Sequence, residues 1–98
     1  MSTAVTYPGV RRDMAAQAAN QALPTWHRIG CLARAGTNHH GHARFATGQL
    51  RRQLHLTAQQ TSEALAVAKA RGWVDSTSTA RCVVLPGHAL NPCEENHR

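Results

Sequence analysis

The sequence predicts a mainly α domain with a small β-hairpin: a three-helix core followed by two short strands. Three observations lead there. Leu50, Leu54 and Leu56, and then Thr61, Leu65 and Ala68, recur at helical spacing on either side of a break at Leu56-Thr57. Trp26, Ile29, Ala33 and Gly36, with Leu32 alongside, form one face of an earlier helix. Trp73-Val74 and residues 80–85 are apolar and β-branched, and they flank the polar turn Asp75-Ser76-Thr77-Ser78-Thr79. With 98 residues there is room for one small domain, and 4% aromatic content leaves its core mainly to Leu, Val, Ile and Ala.

The elements follow in order. Residues 1–23 read as an N-terminal arm. Tyr7-Pro8-Gly9 are turn formers, and Asp13 caps a short Ala-rich helix over 14–21 that is either frayed or docked on a partner subunit; the mobile arm is the favoured form. The domain proper spans 24–86. Pro24 stops any earlier helix and suits the first turn of the next, with Thr25 as an alternative cap. His27, Arg28, Cys31 and Arg34 fall on that helix's outer side. Three histidines in Thr37-Asn38-His39-His40-Gly41-His42 make a solvated loop, and 43–46 is a strand candidate with Phe45 inward. Thr47 caps a helix over 48–55. Thr57-Ala58-Gln59-Gln60 fits a capping box at the start of a helix over 57–71, and Gly72 stands where a left-handed closing residue is expected. Residues 87–98 form a polar tail.

The formal charge is +6, and ten of the eleven basic residues are Arg, the side chain suited to bidentate phosphate and base contacts. The charge is uneven. Residues 24–57 hold Arg28, Arg34, Arg44, Arg51 and Arg52 without an acid, so +5 of the +6 lies in that third of the chain. Such clustering is what a nucleic-acid footprint looks like. No run approaches membrane-spanning length, and the first residues lack the apolar core of a signal peptide. The expected location is therefore the cytoplasm, in association with the nucleoid.

The stretch from Thr47 to Val74 resembles the helix-turn-helix of winged-helix DNA-binding domains. Leu50, Leu54 and Leu56 stand where that family carries inward apolar residues, and the Thr57 cap follows. Thr61 departs from the pattern, since Val or Ile is commoner there. The resemblance covers about residues 24–85, with the strands after Gly72 as the wing and the short strand at 43–46 pairing with it. The chain is also similar to small winged-helix proteins of actinobacteria and their phages or plasmids, in His40-Gly41-His42-Ala43, in Gly72-Trp73 and in Cys82-Val83-Val84-Leu85-Pro86. The resemblance implies a DNA-binding transcriptional regulator or accessory factor that places helix 57–71 in the major groove. Subtracting the inward positions leaves Gln59, Gln60, Ser62 and Glu63 as base contacts. Arg44, Arg51, Arg52, Thr57, Lys69 and Arg81 are the expected phosphate contacts. Double-stranded DNA is thus the expected partner, with a homodimer and an acidic protein partner as further candidates. The alternative function is an adaptor that binds such a protein.

Cys82, His88, Cys93 and His97 form C-x5-H-x4-C-x3-H, two thiols and two imidazoles for a structural zinc that would pin the tail to the return strand. Buried Cys82, solvated His88 and a loose tail account for the same residues without metal. No other cofactor is expected. Catalysis is not: the five acids are scattered, and there is no phosphate-cradling Gly-rich loop and no nucleophile motif. Cys31 and His27 lie four residues apart and read as an exposed thiol beside an exposed imidazole.

Overall fold

The computed structural model describes residues 8–37 and 40–88. It is a mainly α domain with a two-stranded antiparallel sheet, in the order α1 (Pro8–Ala19), α2 (Thr25–Gly36), β1 (His42–Arg44), α3 (Gln49–Leu54), α4 (Ala58–Ala70) and β2 (Cys82–Val84). Helix α2 touches every other element and is the centre of the packing. It starts at Pro24, in the N-cap position with an extended backbone, and Thr37 closes it, extended again. Ile29, Cys31 and Ala33 have no exposed surface, so Cys31 is not on a solvent side. The reason is α1. A helix with one apolar stripe would leave Arg28 and Cys31 in water, but α1 covers that second side.

The N-terminal segment therefore differs from the expected mobile arm. Its helix begins at Pro8 rather than near Met14 and runs through Asp13 to Ala19. It packs on α2, with Ala18 buried and Met14 against the core. The pair is antiparallel. Arg11 of α1 donates to the carbonyls of Ala35 (3.0 Å) and Thr37 (3.1 Å) at the end of α2. Arg28 near the start of α2 donates from Nε to the Ala18 carbonyl (2.7 Å) at the end of α1. Each helix thus supplies a cation to the other's unsatisfied C-terminal carbonyls.

Helix α3 is shorter than 48–55. Thr47 does not cap it; Gly48 occupies the N-cap with φ 76°, a left-handed conformation for which glycine is suited, and the Ala46 N–H donates to Gln49 Oε1 (2.7 Å). His55, also left-handed at φ 59°, ends it, and two residues later Thr57 caps α4. The capping box forms as the sequence indicates. Thr57 Oγ1 accepts from the Gln60 N–H (3.0 Å), and Gln60 Oε1 accepts from the Thr57 N–H (2.9 Å). Gly72 closes the far end at φ 73°. Thr61 is buried, and its hydroxyl donates to the Thr57 carbonyl (2.9 Å), which is how a Thr serves at an inward position. Thr57→Ala should lower stability by about 1 kcal/mol in a urea titration, and a loss below a few tenths would mean that the cap contributes nothing.

The short strand before α3 pairs with the return strand as the resemblance implies, while the expected Trp73-Val74 partner of the hairpin is not formed. β2 lies against β1, not against Trp73-Val74, with His42 opposite Val84, Ala43 opposite Val83 and Arg44 opposite Cys82. The Trp73 and Val74 amides turn back to the Ala68 carbonyl (3.0 and 3.4 Å), finishing α4 instead of starting a strand. At the other edge of β2, Asp75 N–H donates to the Val84 carbonyl (2.8 Å). Buried Ser78 completes that edge, accepting from the Val84 N–H (2.8 Å) and donating to its carbonyl (3.2 Å). Thr77 donates from both its N–H and its hydroxyl to the Asp75 carboxylate, which holds it below the ordinary carboxylate range.

Candidate nucleic-acid interface

The arginines of residues 24–57 divide into two groups. Arg28 is only 4% exposed. Besides Ala18 it reaches the Leu54 carbonyl at the end of α3, Nη2 to O 3.3 Å, so a single guanidinium joins the C-termini of α1 and α3 to α2. Arg34 sits over Trp73, its Cζ 3.7 Å from the ring centre, and donates to the carbonyls of Gly30 (3.1 Å) and Trp73 (3.0 Å). The other face of the aromatic cluster is His27, stacked on Trp73 at 5.0 Å, while Trp73 Nε1 donates to the His27 carbonyl (3.0 Å). Both arginines donate to backbone carbonyls of the fold, Arg28 at the ends of α1 and α3, Arg34 within α2 and at Trp73 beyond α4. Of the cations in the acid-free stretch, these two are engaged within the fold, Arg28 buried and Arg34 half-buried.

Arg51, Arg52 and Arg81 are exposed, and Arg44 is half-buried. Arg44 and Arg81 belong to the same end of the sheet, where Arg44 is opposite Cys82 and the Phe45 N–H donates to the Arg81 carbonyl (2.9 Å). The connector 45–48 then leads to α3, and both of its exposed arginines fold back over Gly48. A Cβ built there would lie 2.9 Å from Arg52 Nη1 and 3.6 Å from Arg51 Nε. Two cations are thus brought within a few ångströms of one backbone position, in a stretch without a carboxylate. Between α2, β1 and α3 lies a cleft of about 350 Å³, with Leu32 and Phe45 in its floor and Arg44, Gln49 and Gln53 on its sides.

The other expected contacts are partly engaged within the fold. The Thr57 hydroxyl accepts the Gln60 amide, and Lys69 Nζ donates to the Ser78 carbonyl (3.3 Å) in the turn before β2. Gln59, Gln60, Ser62 and Glu63 are all exposed along one side of α4. Gln60 gives its side-chain oxygen to the cap, and Gln59 Nε2 donates to Glu63 Oε2 (3.1 Å). This side opens onto a second cleft of about 200 Å³ formed by Thr25, Trp26, Gln60, Glu63, Ala64 and Val67. Val67 is 39% exposed there. Arg71 covers Trp26 at 4.6 Å.

Of the expected metal ligands, Cys82 and His88 lie within the described residues, while Cys93 and His97 lie outside them. Cys82 is buried at the strand pair. Its neighbour is a histidine assigned by sequence to the solvated loop: His42 is 4% exposed, on β1, with Nδ1 3.5 Å from Cys82 Sγ. Alternation of side chains along a strand extended one residue back from Ala43 is the signal that would have found it. Among the described residues, no three His, Cys, Asp or Glu side chains gather around one point suited to a metal. Cys31 and His27 both address Gln17 Oε1, at 3.6 and 3.0 Å. Burial raises the Cys31 thiol above its ordinary value, with a smaller opposing pull from Arg34. No described helix is long and apolar enough to cross a membrane. Comparison with protein-family profiles, curated proteins and solved structures finds no match for this chain.

Proposed function

We propose that this protein binds double-stranded DNA in the manner of a winged helix-turn-helix domain, as a transcriptional regulator or a phage- or plasmid-type accessory factor. The observation that carries the reading is the pair of exposed cations Arg51 and Arg52 brought together over Gly48, with exposed Arg81 and half-buried Arg44 at one end of the sheet. Guanidinium groups in a region without carboxylates attract phosphate, and phosphate contacts position a domain without reading sequence. Helix α4 then enters the major groove. Ser62, Gln59 and Glu63 present the polar atoms, and Gln60 serves chiefly as the cap. Base reading in this arrangement is limited, and backbone grip dominates. Homodimerisation would double the grip and produce a palindromic site, which selection from a random DNA pool would reveal.

The test is a salt titration of DNA binding by the Arg51→Ala, Arg52→Ala double variant. Each lost phosphate contact should reduce the slope of log affinity against log salt by about 0.9, so the double variant should flatten it by roughly 1.8 on every sequence tried. An unchanged slope would remove these residues from the interface and the reading with them.

One observation favours a second reading, the protein adaptor. The cleft beside Val67 and Trp26 has an apolar part, Trp26, Ala64 and Val67, and includes Gln60 and Glu63 of the proposed base contacts. Val67→Glu should abolish capture of a protein partner under that reading and change DNA affinity under the first.

A further inference from the structure

We propose, resting on the DNA-binding reading above, that Gln59 selects adenine over guanine in the major groove. Glu63 imposes that choice as a positioning residue, by occupying one of the two N–H groups of the Gln59 amide.

Thr61, Ala64, Leu65 and Ala68 are the buried residues that hold α4 against the rest of the domain. The outer side carries Ala58, Gln59, Ser62, Glu63 and Ala66, all exposed. Two glutamines stand in the first turn, and the capping box separates their roles. Gln60 Oε1 accepts from the Thr57 N–H (2.9 Å), so that amide is committed to the helix start. Gln59 has a different partner: its Nε2 donates to Glu63 Oε2 (3.1 Å), one turn further along. A carboxylate only accepts, so the amide atom beside Glu63 is the nitrogen, and the oxygen is the atom turned away from it. Ala58, Ser62 and Ala66 are small, so the floor of a groove can come close to this amide. Gln59 is also the second residue of α4, and the N-terminal residues of a recognition helix are those that reach base edges.

The held amide offers one acceptor, Oε1, and one remaining N–H. Adenine presents the matching pair in the major groove, the N6 amino donor and the N7 acceptor. Guanine presents two acceptors, O6 and N7, while thymine and cytosine present one hydrogen-bonding group each. An unrestrained glutamine can turn its NH2 toward guanine and donate both N–H groups. Gln59 does so only by giving up Glu63, which leaves a carboxylate unpaired among phosphates. Adenine alone satisfies the amide in its held orientation.

Selection from a random duplex pool, run with wild type and with Gln59→Ala, identifies the base pair concerned as the position whose preference the variant loses. Wild type should prefer A·T to G·C there by roughly five- to hundredfold. Glu63→Ala should bring that ratio to within about twofold. Its affinity for the adenine duplex should be kept or raised, since a negative charge near phosphates has gone, and its salt slope should stay that of wild type. Glu63→Gln keeps an oxygen that accepts the Gln59 N–H and should keep most of the ratio. A merely structural role for Glu63 predicts equal weakening on both duplexes, and an intact A-over-G ratio in Glu63→Ala overturns the positioning role. A Gln59-dependent position that is not adenine overturns the base assignment, as does a selected site in which no position depends on Gln59. Both of these outcomes leave DNA binding standing. Failure of wild type to bind any duplex at low salt overturns the DNA-binding reading and the base assignment with it.

Discussion

Arg28→Ala should destabilise the domain by about 3–5 kcal/mol, measured as a shift of the urea midpoint followed by circular dichroism. The side chain donates two hydrogen bonds from a charged group, to Ala18 and Leu54, and such bonds contribute roughly 1.5–3 kcal/mol each. Its removal also leaves two buried carbonyls without their cation and a cavity between three helices. The positive charge is tolerated at 4% exposure because two helix C-termini face it, each with a partial negative charge of up to about one half. Arg28→Lys retains the charge, but one ammonium does not span two carbonyls in the manner of a forked guanidinium, so it should recover only part of the loss. A small domain has about 5–15 kcal/mol in total, so the Ala variant should be largely unfolded well below the wild-type midpoint. A phosphate-contacting Arg28 predicts the reverse, unchanged stability and a flatter salt dependence of DNA binding. A midpoint within error of wild type would end the clamp interpretation.

The second large effect is expected at Gly30→Ala. The added Cβ would stand 1.9 Å from Trp73 Nε1 and 2.2 Å from Cδ1. An indole has no flexible end that can swing aside, and this one is held on every side. It donates to the His27 carbonyl, stacks on the His27 ring, carries Arg34 on its face and meets Trp26 edge-on at 6.5 Å. Moving it breaks the hydrogen bond and the cation–π contact together, while overpacking costs about 1–3 kcal/mol by itself. The total should reach about 3 kcal/mol, with a red-shifted tryptophan emission as the ring enters water. Gly36→Ala is the control. Nothing lies within 4 Å of its Cβ position, and its backbone is not left-handed, so this change should be neutral or slightly stabilising. Equal stability of the two variants would show that Trp73 is not seated where its contacts place it.

These two positions also mark the limit of what spacing along the chain conveys. Arg28 was counted with Arg51 and Arg52 because all three sit in one acid-free stretch. Composition registers a guanidinium but not whether its partner is a phosphate outside or a carbonyl 26 residues away within the fold. Gly30 gave no signal at all, because the ring that excludes a side chain there lies 43 positions further along the sequence. The same holds at the sheet. Residues 80–85 read correctly as strand-forming, but a strand's partner is a long-range choice. Here Trp73 and Val74 were drawn back to the Ala68 carbonyl, which left β1 to pair with β2 and brought His42 to Cys82.

What the sequence determined by itself is local. The Thr57–Gln60 cap, the break at Leu56, the inward Leu50, Leu54 and Leu65 and the left-handed Gly72 are fixed by neighbours within a few residues, where capping chemistry and helical periodicity act. The tertiary structure decided which cations remain for a partner, which strand pairs with which, and that residues 8–19 are a packed helix. Each of those outcomes depends on burial. Burial is set by which elements meet, and a helix as weakly amphipathic as α1 carries no record of its partner until α2 presents Arg28 and an apolar face to it.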